Sequence, residues 1–133
     1  MRVIVADDLN LVLSLVSAIL SDSFEVVGQF SDGSSALKAT LALEPDAVVL
    51  DISMPGMSGI QVAQELRRRA SKTKIVFLTA YEDSEVLMTC LTAGGLGYVL
   101  KEFMETDLIP ALQEAAAGRV FVSHYSPRQD VFC

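Results

Sequence analysis

The sequence predicts an α/β fold, a doubly wound sandwich around a five-stranded parallel sheet. Two observations carry this. Residues 3–6, 47–50, 75–78 and 98–100 are short, unbroken apolar runs, as expected of strands buried on both faces. The stretches between them place apolar residues at helical spacing, so strand and helix alternate along the whole chain. Five β-then-α units result, and right-handed crossovers put helices on both faces of the sheet.

The elements follow in order. After the first strand, a helix over 9–21 carries an inward stripe of Leu9, Val12, Leu13, Val16 and Leu20. A second stripe, Leu11, Leu15 and Ala18, is offset from it, while Asn10, Ser14, Ser17 and Ser21 hold the polar face. One stripe suffices to dock on a sheet. The second is expected either to pack beside the fifth helix or to form a homodimer surface through the first and fifth helices. Residues 24–30 mix Glu25 and Gln29 with Val26 and Val27 and fit an edge strand. Helices are expected at 34–44, 58–70, 84–93 and 106–117. Ser58-Gly59 opens the third, and Asp83 or Ser84 caps the fourth, with Glu85 in its first turn. Gly94-Gly95 ends the fourth and Gly118 the fifth. Pro110 suits only a first turn, so the fifth helix is expected to begin late, near Asp107, or to bend. Residues 1–118 form one domain. Residues 119–133 lack helical periodicity and read as a C-terminal tail or the start of a linker, with a short extended piece at 120–122.

Composition excludes several classes. With 133 residues, 51% hydrophobic and 20% charged, the chain can build one core and is not a disordered protein. No apolar run approaches the roughly 18 residues that span a bilayer, and the early Asp7-Asp8 does not suit a signal peptide, so no membrane partner is expected. Ten Lys plus Arg against 17 Asp plus Glu leave a net charge of −7, a field that repels nucleic acid. The one dense basic run, Arg67-Arg68-Arg69 with Lys72 and Lys74, reads as the solvated end of a helix. Cys90 and Cys133 lie far apart without metal-ligand spacing, which implies neither disulfide nor zinc and points to the reducing cytoplasm.

The chemistry lies where polar residues interrupt the strands. Asp7 and Asp8 follow the first strand, Asp51 the third, Thr79 the fourth and Lys101 the fifth. In a parallel sheet all of these stand at the carboxyl edge, where open α/β sheets bind ligands. An Asp after a strand is commonly a cap or turn residue, and a strand Thr or a strand-end Lys commonly plain structure. Matching groups at four strand ends together are a site. Three packed carboxylates repel unless a cation neutralises them. Oxygen donors without His or Cys select a hard ion, Mg²⁺ or Mn²⁺. Mg²⁺ takes one or two carboxylates, which leaves one free to attack phosphorus, with Lys101 and Thr79 placed for phosphoryl oxygens.

Val48-Val49-Leu50-Asp51-Ile52-Ser53-Met54-Pro55-Gly56-Met57-Ser58-Gly59 resembles the phosphoacceptor motif of two-component response regulator receiver domains, the CheY-like family. Asp7-Asp8, Leu78-Thr79-Ala80 and Tyr98-Val99-Leu100-Lys101 match its other motifs in order. The resemblance covers about residues 2–118 and implies flavodoxin-like strand order 2-1-3-4-5. It further implies that Asp51 is the phosphoacceptor, supplied by a sensor histidine kinase. Asp8, Asp51 and the Ser53 backbone carbonyl would hold Mg²⁺ directly, Asp7 mainly through water. Thr79 and Lys101 would bind the phosphoryl group, and Tyr98, otherwise an ordinary strand aromatic, would be the switch residue that follows Thr79.

Some positions refine the resemblance. Ser53 and Tyr81 stand where the family tunes dephosphorylation, and Tyr81 is expected to screen the attacking water. Glu102 after Lys101, with Gly118-Arg119-Val120-Phe121-Val122-Ser123, is similar to the NarL/FixJ, or LuxR-type, branch. That branch continues into a helix-turn-helix domain, for which residues after Ser123 lack the two helices. The chain is therefore expected to be a single-domain regulator or the receiver part of a LuxR-type transcription factor, touching DNA only through a further domain. A metal-dependent aspartyl phosphatase is a competing enzyme reading, weakened because Ser53 replaces that class's second Asp. A pseudo-receiver is disfavoured by the intact pocket set. His124, the single histidine, leaves no phosphohistidine relay within the chain.

Overall fold

The computed structural model describes residues 1–80 and 82–123. The elements are β1 (Arg2–Ala6), α1 (Asn10–Leu20), β2 (Glu25–Phe30), α2 (Gly33–Leu43), β3 (Ala47–Asp51), α3 (Gly59–Arg68), β4 (Lys74–Thr79), α4 (Ser84–Thr92), β5 (Gly97–Leu100), α5 (Met104–Ala116) and β6 (Phe121–Val122). A 3₁₀ turn, Lys101–Phe103, joins β5 to α5. The strands are parallel in the order β2-β1-β3-β4-β5-β6. The doubly wound sheet and its 2-1-3-4-5 order are as expected. The difference is a sixth strand.

Strand alternation divides the core in two. Val3, Val5, Ala47, Val49, Val76, Leu78 and Val99 face α1 and α5. Ile4, Val48, Leu50, Ile75, Phe77, Tyr98 and Leu100 face α2, α3 and α4. Because both faces are covered, β3 is buried throughout, which is why its sequence runs apolar up to Asp51. β2 is an edge strand, and its register with β1 shifts between Val3 and Ile4, leaving Val27 as the extra residue.

The helix starts obey local chemistry. The Asp32 carboxylate accepts from Ser35 N–H, and Asp83 accepts from Glu85 and Val86 N–H. Ser58 and Gln61 form a reciprocal capping box. Arg68 and Arg69 close the basic run onto Glu65, whose carboxyl those side-chain hydrogen bonds hold down at about 2. That run is the solvated helix end expected of it.

Two expectations are corrected. α5 begins at Met104 rather than near Asp107, and Pro110 lies inside it. The missing N–H forfeits one helical hydrogen bond, but Met104, Leu108, Ala111, Leu112 and Ala115 bury one continuous stripe on the sheet, and packing rather than propensity decides helix stability. In α1, Val12, Leu13, Val16 and Leu20 are buried, but Leu9 is exposed at the N-cap position. Leu11, at 71% exposure, and Leu15, at 40%, are not covered by α5. The second stripe therefore does not serve the intrachain packing considered for it.

After α5, Gly118 adopts a φ of +77°, a left-handed turn that glycine enters without strain. The chain then reverses and lays β6 along the outer edge of β5, pairing Gly97 with Phe121 and Tyr98 with Val122.

Candidate functional site

The carboxyl edge of the sheet gathers the residues singled out from the sequence. Asp7 follows β1, Asp51 is the last residue of β3, Thr79 the last of β4, and Lys101 follows β5. One oxygen from each of Asp7, Asp8 and Asp51 lies within 4.8 Å of the other two. The Lys101 ammonium stands 2.8 Å from Asp7 Oδ2 and 3.6 Å from Asp51 Oδ2.

Burial differs sharply among the acids. Asp7 is fully buried, Asp51 is 6% exposed, and Asp8 is open to solvent. Asp7 Oδ1 accepts from Leu9 N–H at 2.9 Å. Asp7 Oδ2 is buried without a well-formed hydrogen bond, and the Lys101 ammonium beside it offers an ion pair only. Burial first, and the Asp7 charge second, push the Asp51 carboxyl up from 3.8 to about 6, with Lys101 pulling the other way. Burial disfavours the charged Lys101, but its close contact with the Asp7 carboxylate and the charge of Asp51 outweigh this and hold its pKa above the ordinary value.

A divalent ion fits this set. The donors are all oxygen, one buried carboxylate oxygen lacks a proper partner, and three carboxylates face a single ammonium. Such a group is short of positive charge and suits a hard cation.

The other expected residues are placed as follows. Ser53 is exposed in the loop between β3 and α3. Thr79 is buried and pairs in register with Leu100. It stands two residues beyond Phe77, on the sheet face that Tyr98 shares, and Tyr98 is 3% exposed opposite Phe77. Tyr81, His124 and Cys133 lie outside the described residues.

Two contributors were not assigned from sequence. Gly59, read there as a helix opener, packs so tightly on the end of β3 that an added Cβ would meet the Asp51 carbonyl oxygen at 2.1 Å. Ser123 is buried at the far end of β6, and its hydroxyl accepts from Leu100 N–H at 2.9 Å. In the sequence it stands directly after an apolar pair, at the end of the stretch similar to the NarL/FixJ branch, and neither signal assigns its hydroxyl a partner.

Comparison with known proteins agrees with this geometry. A family profile described as the response regulator receiver domain matches residues 3–113. The nitrate/nitrite response regulator protein NarL of Escherichia coli K12 is 35% identical over 104 residues, covering 78% of this chain and 48% of that protein. The transcriptional regulatory protein LiaR of Bacillus subtilis is 33% identical over 119 residues, covering 88% of this chain and 56% of that protein. The chain thus spans about half the length of these curated relatives. Among solved structures, the signal receiver domain of a NarL response regulator from Mycobacterium tuberculosis superposes with a TM-score of 0.85 at 36% identity, covering 89% of this chain and 97% of that one.

Proposed function

We propose that this chain, which belongs to the response regulator receiver domain family and has NarL/LuxR-type relatives, is a phosphorylation switch with Asp51 as the phosphoacceptor. The observation that carries the reading is the pairing of one half-buried ammonium with a three-carboxylate cluster at the carboxyl edge. Receiver domains are signalling switches of two-component systems rather than enzymes that turn over outside substrates.

In the proposed reaction an Asp51 carboxylate oxygen attacks the phosphorus of a kinase phosphohistidine. The P–O bond forms as the P–N bond breaks, and the electron pair returns to the imidazole nitrogen, which takes up a proton. Lys101 sits within reach of the growing negative charge, and Thr79 offers a hydroxyl donor from the adjacent strand end. Asp8, Asp51 and the Ser53 carbonyl would hold Mg²⁺, or Mn²⁺ in its place, with Asp7 acting through water and through its hold on Lys101. The bound ion would supply neutralising charge to the transferring oxygens.

The switch reading assigns the response to Thr79 and Tyr98, which share one face of the sheet. Driving a two-state element from 1:99 to 99:1 takes about 5.5 kcal/mol, more than the roughly 1.5–3 kcal/mol of one charge-assisted hydrogen bond. Thr79, Lys101 and the ion must therefore act together. Residues 1–118 form the receiver unit and 119–133 lead toward the output, either a LuxR-type DNA-binding domain outside this chain or a separate partner. A cytoplasmic setting fits the kinase partner, and no helix among the described residues is long and apolar enough to cross a membrane. Exposed Leu11 and Leu15 support a homodimer through α1 and α5. Sedimentation of a Leu11→Lys, Leu15→Lys variant tests that surface, and an unchanged association would remove it.

Acetyl phosphate with Mg²⁺ is expected to label Asp51, read as a mass gain of one phosphoryl group. An Asp51→Asn variant that gains the same acid-stable or acid-labile label would overturn the assignment.

A further inference from the structure

The outer edge of β5 is completed by two kinds of group. Phe121 N–H donates to the Leu96 carbonyl at 2.8 Å, and Ser123 N–H donates to the Tyr98 carbonyl at 2.8 Å. The next group along that edge is Leu100 N–H, and here a side chain replaces the strand: the Ser123 hydroxyl accepts it at 2.9 Å.

Ser123 is 2% exposed. The other buried polar residues among those described are Asp7, Asp51 and Thr79 at the pocket, and Thr40, whose hydroxyl is spent on the Ala36 carbonyl of its own helix. A hydroxyl buried this deeply needs a partner, and this one serves the amide immediately before Lys101. Lys101 in turn places its ammonium 2.8 Å from Asp7 and 3.6 Å from Asp51. Val122 and Ser123 also border a narrow crevice with Asp83, Leu87, Tyr98 and Leu100, so the start of α4 and the aromatic ring meet the same strand.

We infer that Ser123 is a positioning residue for phosphoryl recognition: by holding Leu100 N–H it fixes the backbone from which Lys101 reaches the pocket, and it couples the seating of β6 to occupancy at Asp51. The inference rests on the receiver reading above. It differs from plain edge stabilisation because it singles out the phosphoryl side of the site. Lys101 answers to Ser123, whereas Asp7, Asp8 and Asp51 are carried by β1 and β3, on the other side of β4.

The test compares the full chain with Ser123→Ala and Ser123→Thr, titrating Mg²⁺ alone and then beryllofluoride, a phosphoryl analogue, in saturating Mg²⁺. Ser123→Ala is expected to weaken beryllofluoride about fivefold, the low end of site-to-site coupling, and to leave Mg²⁺ affinity within about twofold, as expected when the ion's ligands are untouched. Ser123→Thr keeps the acceptor and restores analogue binding. By reciprocity, beryllofluoride is expected to slow hydrogen exchange at the Leu100 and Ser123 amides of the unaltered chain. Equal analogue affinity in Ser123→Ala, or a parallel loss of both affinities without rescue by Thr, overturns the inference. If the alanine variant does not fold, exchange decides: protection at Leu100 and Ser123 that ignores the analogue overturns it. An unaltered chain that binds Mg²⁺ but no beryllofluoride refutes the receiver reading itself.

Discussion

Replacing Asp51 with Asn is expected to make the metal-free protein more stable. In the fold this carboxyl is nearly buried, and burial followed by the charge of Asp7 moves it from 3.8 to about 6. In the unfolded chain it returns to its ordinary value, so folding at neutral pH carries an ionised carboxylate into a place that favours the neutral form. The gap from 3.8 to about 6 corresponds to about 3 kcal/mol. Because the folded-state pKa lies above the unfolded one, the native state holds the proton more tightly. The penalty is therefore fully present above pH 6 and fades as pH falls from about 6 to 3.8. Asn keeps the shape and removes the charge. In EDTA at pH 7.5 the variant should gain about 2–3 kcal/mol, which at a urea slope of about 1–3 kcal/mol/M raises the unfolding midpoint by about 0.7–3 M. Unfolding followed by circular dichroism at pH 7.5 and again near pH 4 measures both the gain and its disappearance. A destabilised variant at pH 7.5, or a gain of the same size at both pH values, would refute the electrostatic account of the pocket.

Three further outcomes follow from the same geometry. Mg²⁺ at a hundred times its dissociation constant should stabilise the unaltered protein by about 2.7 kcal/mol, a gain read as a rise in Tm. That gain should shrink as pH drops through about 6, where Asp51 takes a proton instead of a metal; a pH-independent shift would argue against Asp51 as a ligand. Gly59→Ala should cost about 1–3 kcal/mol and weaken Mg²⁺ binding, since the new methyl group would collide with the Asp51 carbonyl; an unchanged Tm and affinity would show that the end of β3 yields freely. Burial pushes the Cys90 thiol up to about 12, so in a Cys133→Ser background a disulfide reagent should label Cys90 no faster than the protein opens, and rapid native labelling would contradict its burial.

Much of this is legible in the sequence, for identifiable reasons. Strands covered on both faces need apolar side chains at every position, so Asp51, Thr79 and Lys101 stood out as the points where each strand leaves the core. Caps such as Asp83 and Ser58 were readable because they act within three residues. The misreadings came from places where tertiary packing overrules local preference. Pro110 disfavours a helix interior, yet five buried residues of α5 hold the helix through it. Leu9 falls on the inward stripe by spacing, but it precedes the first helical turn and faces out. Gly59 and Ser123 act through contacts with Asp51 and Leu100 that are distant in sequence or carried by the backbone, and no periodicity announces such contacts.

The direction of β6 has a consequence for whatever the polypeptide carries next. In a wound α/β layer each helix runs back against the strands, so a chain leaving directly from α5 would depart at the pole opposite the acidic cluster. The parallel pairing of Phe121 and Val122 with Gly97 and Tyr98 returns the main chain to the pole of the acidic cluster before residue 124. Any module tethered there would start its path beside the end of β5 that carries Lys101, so a short tether would suffice to sense a change at that strand end.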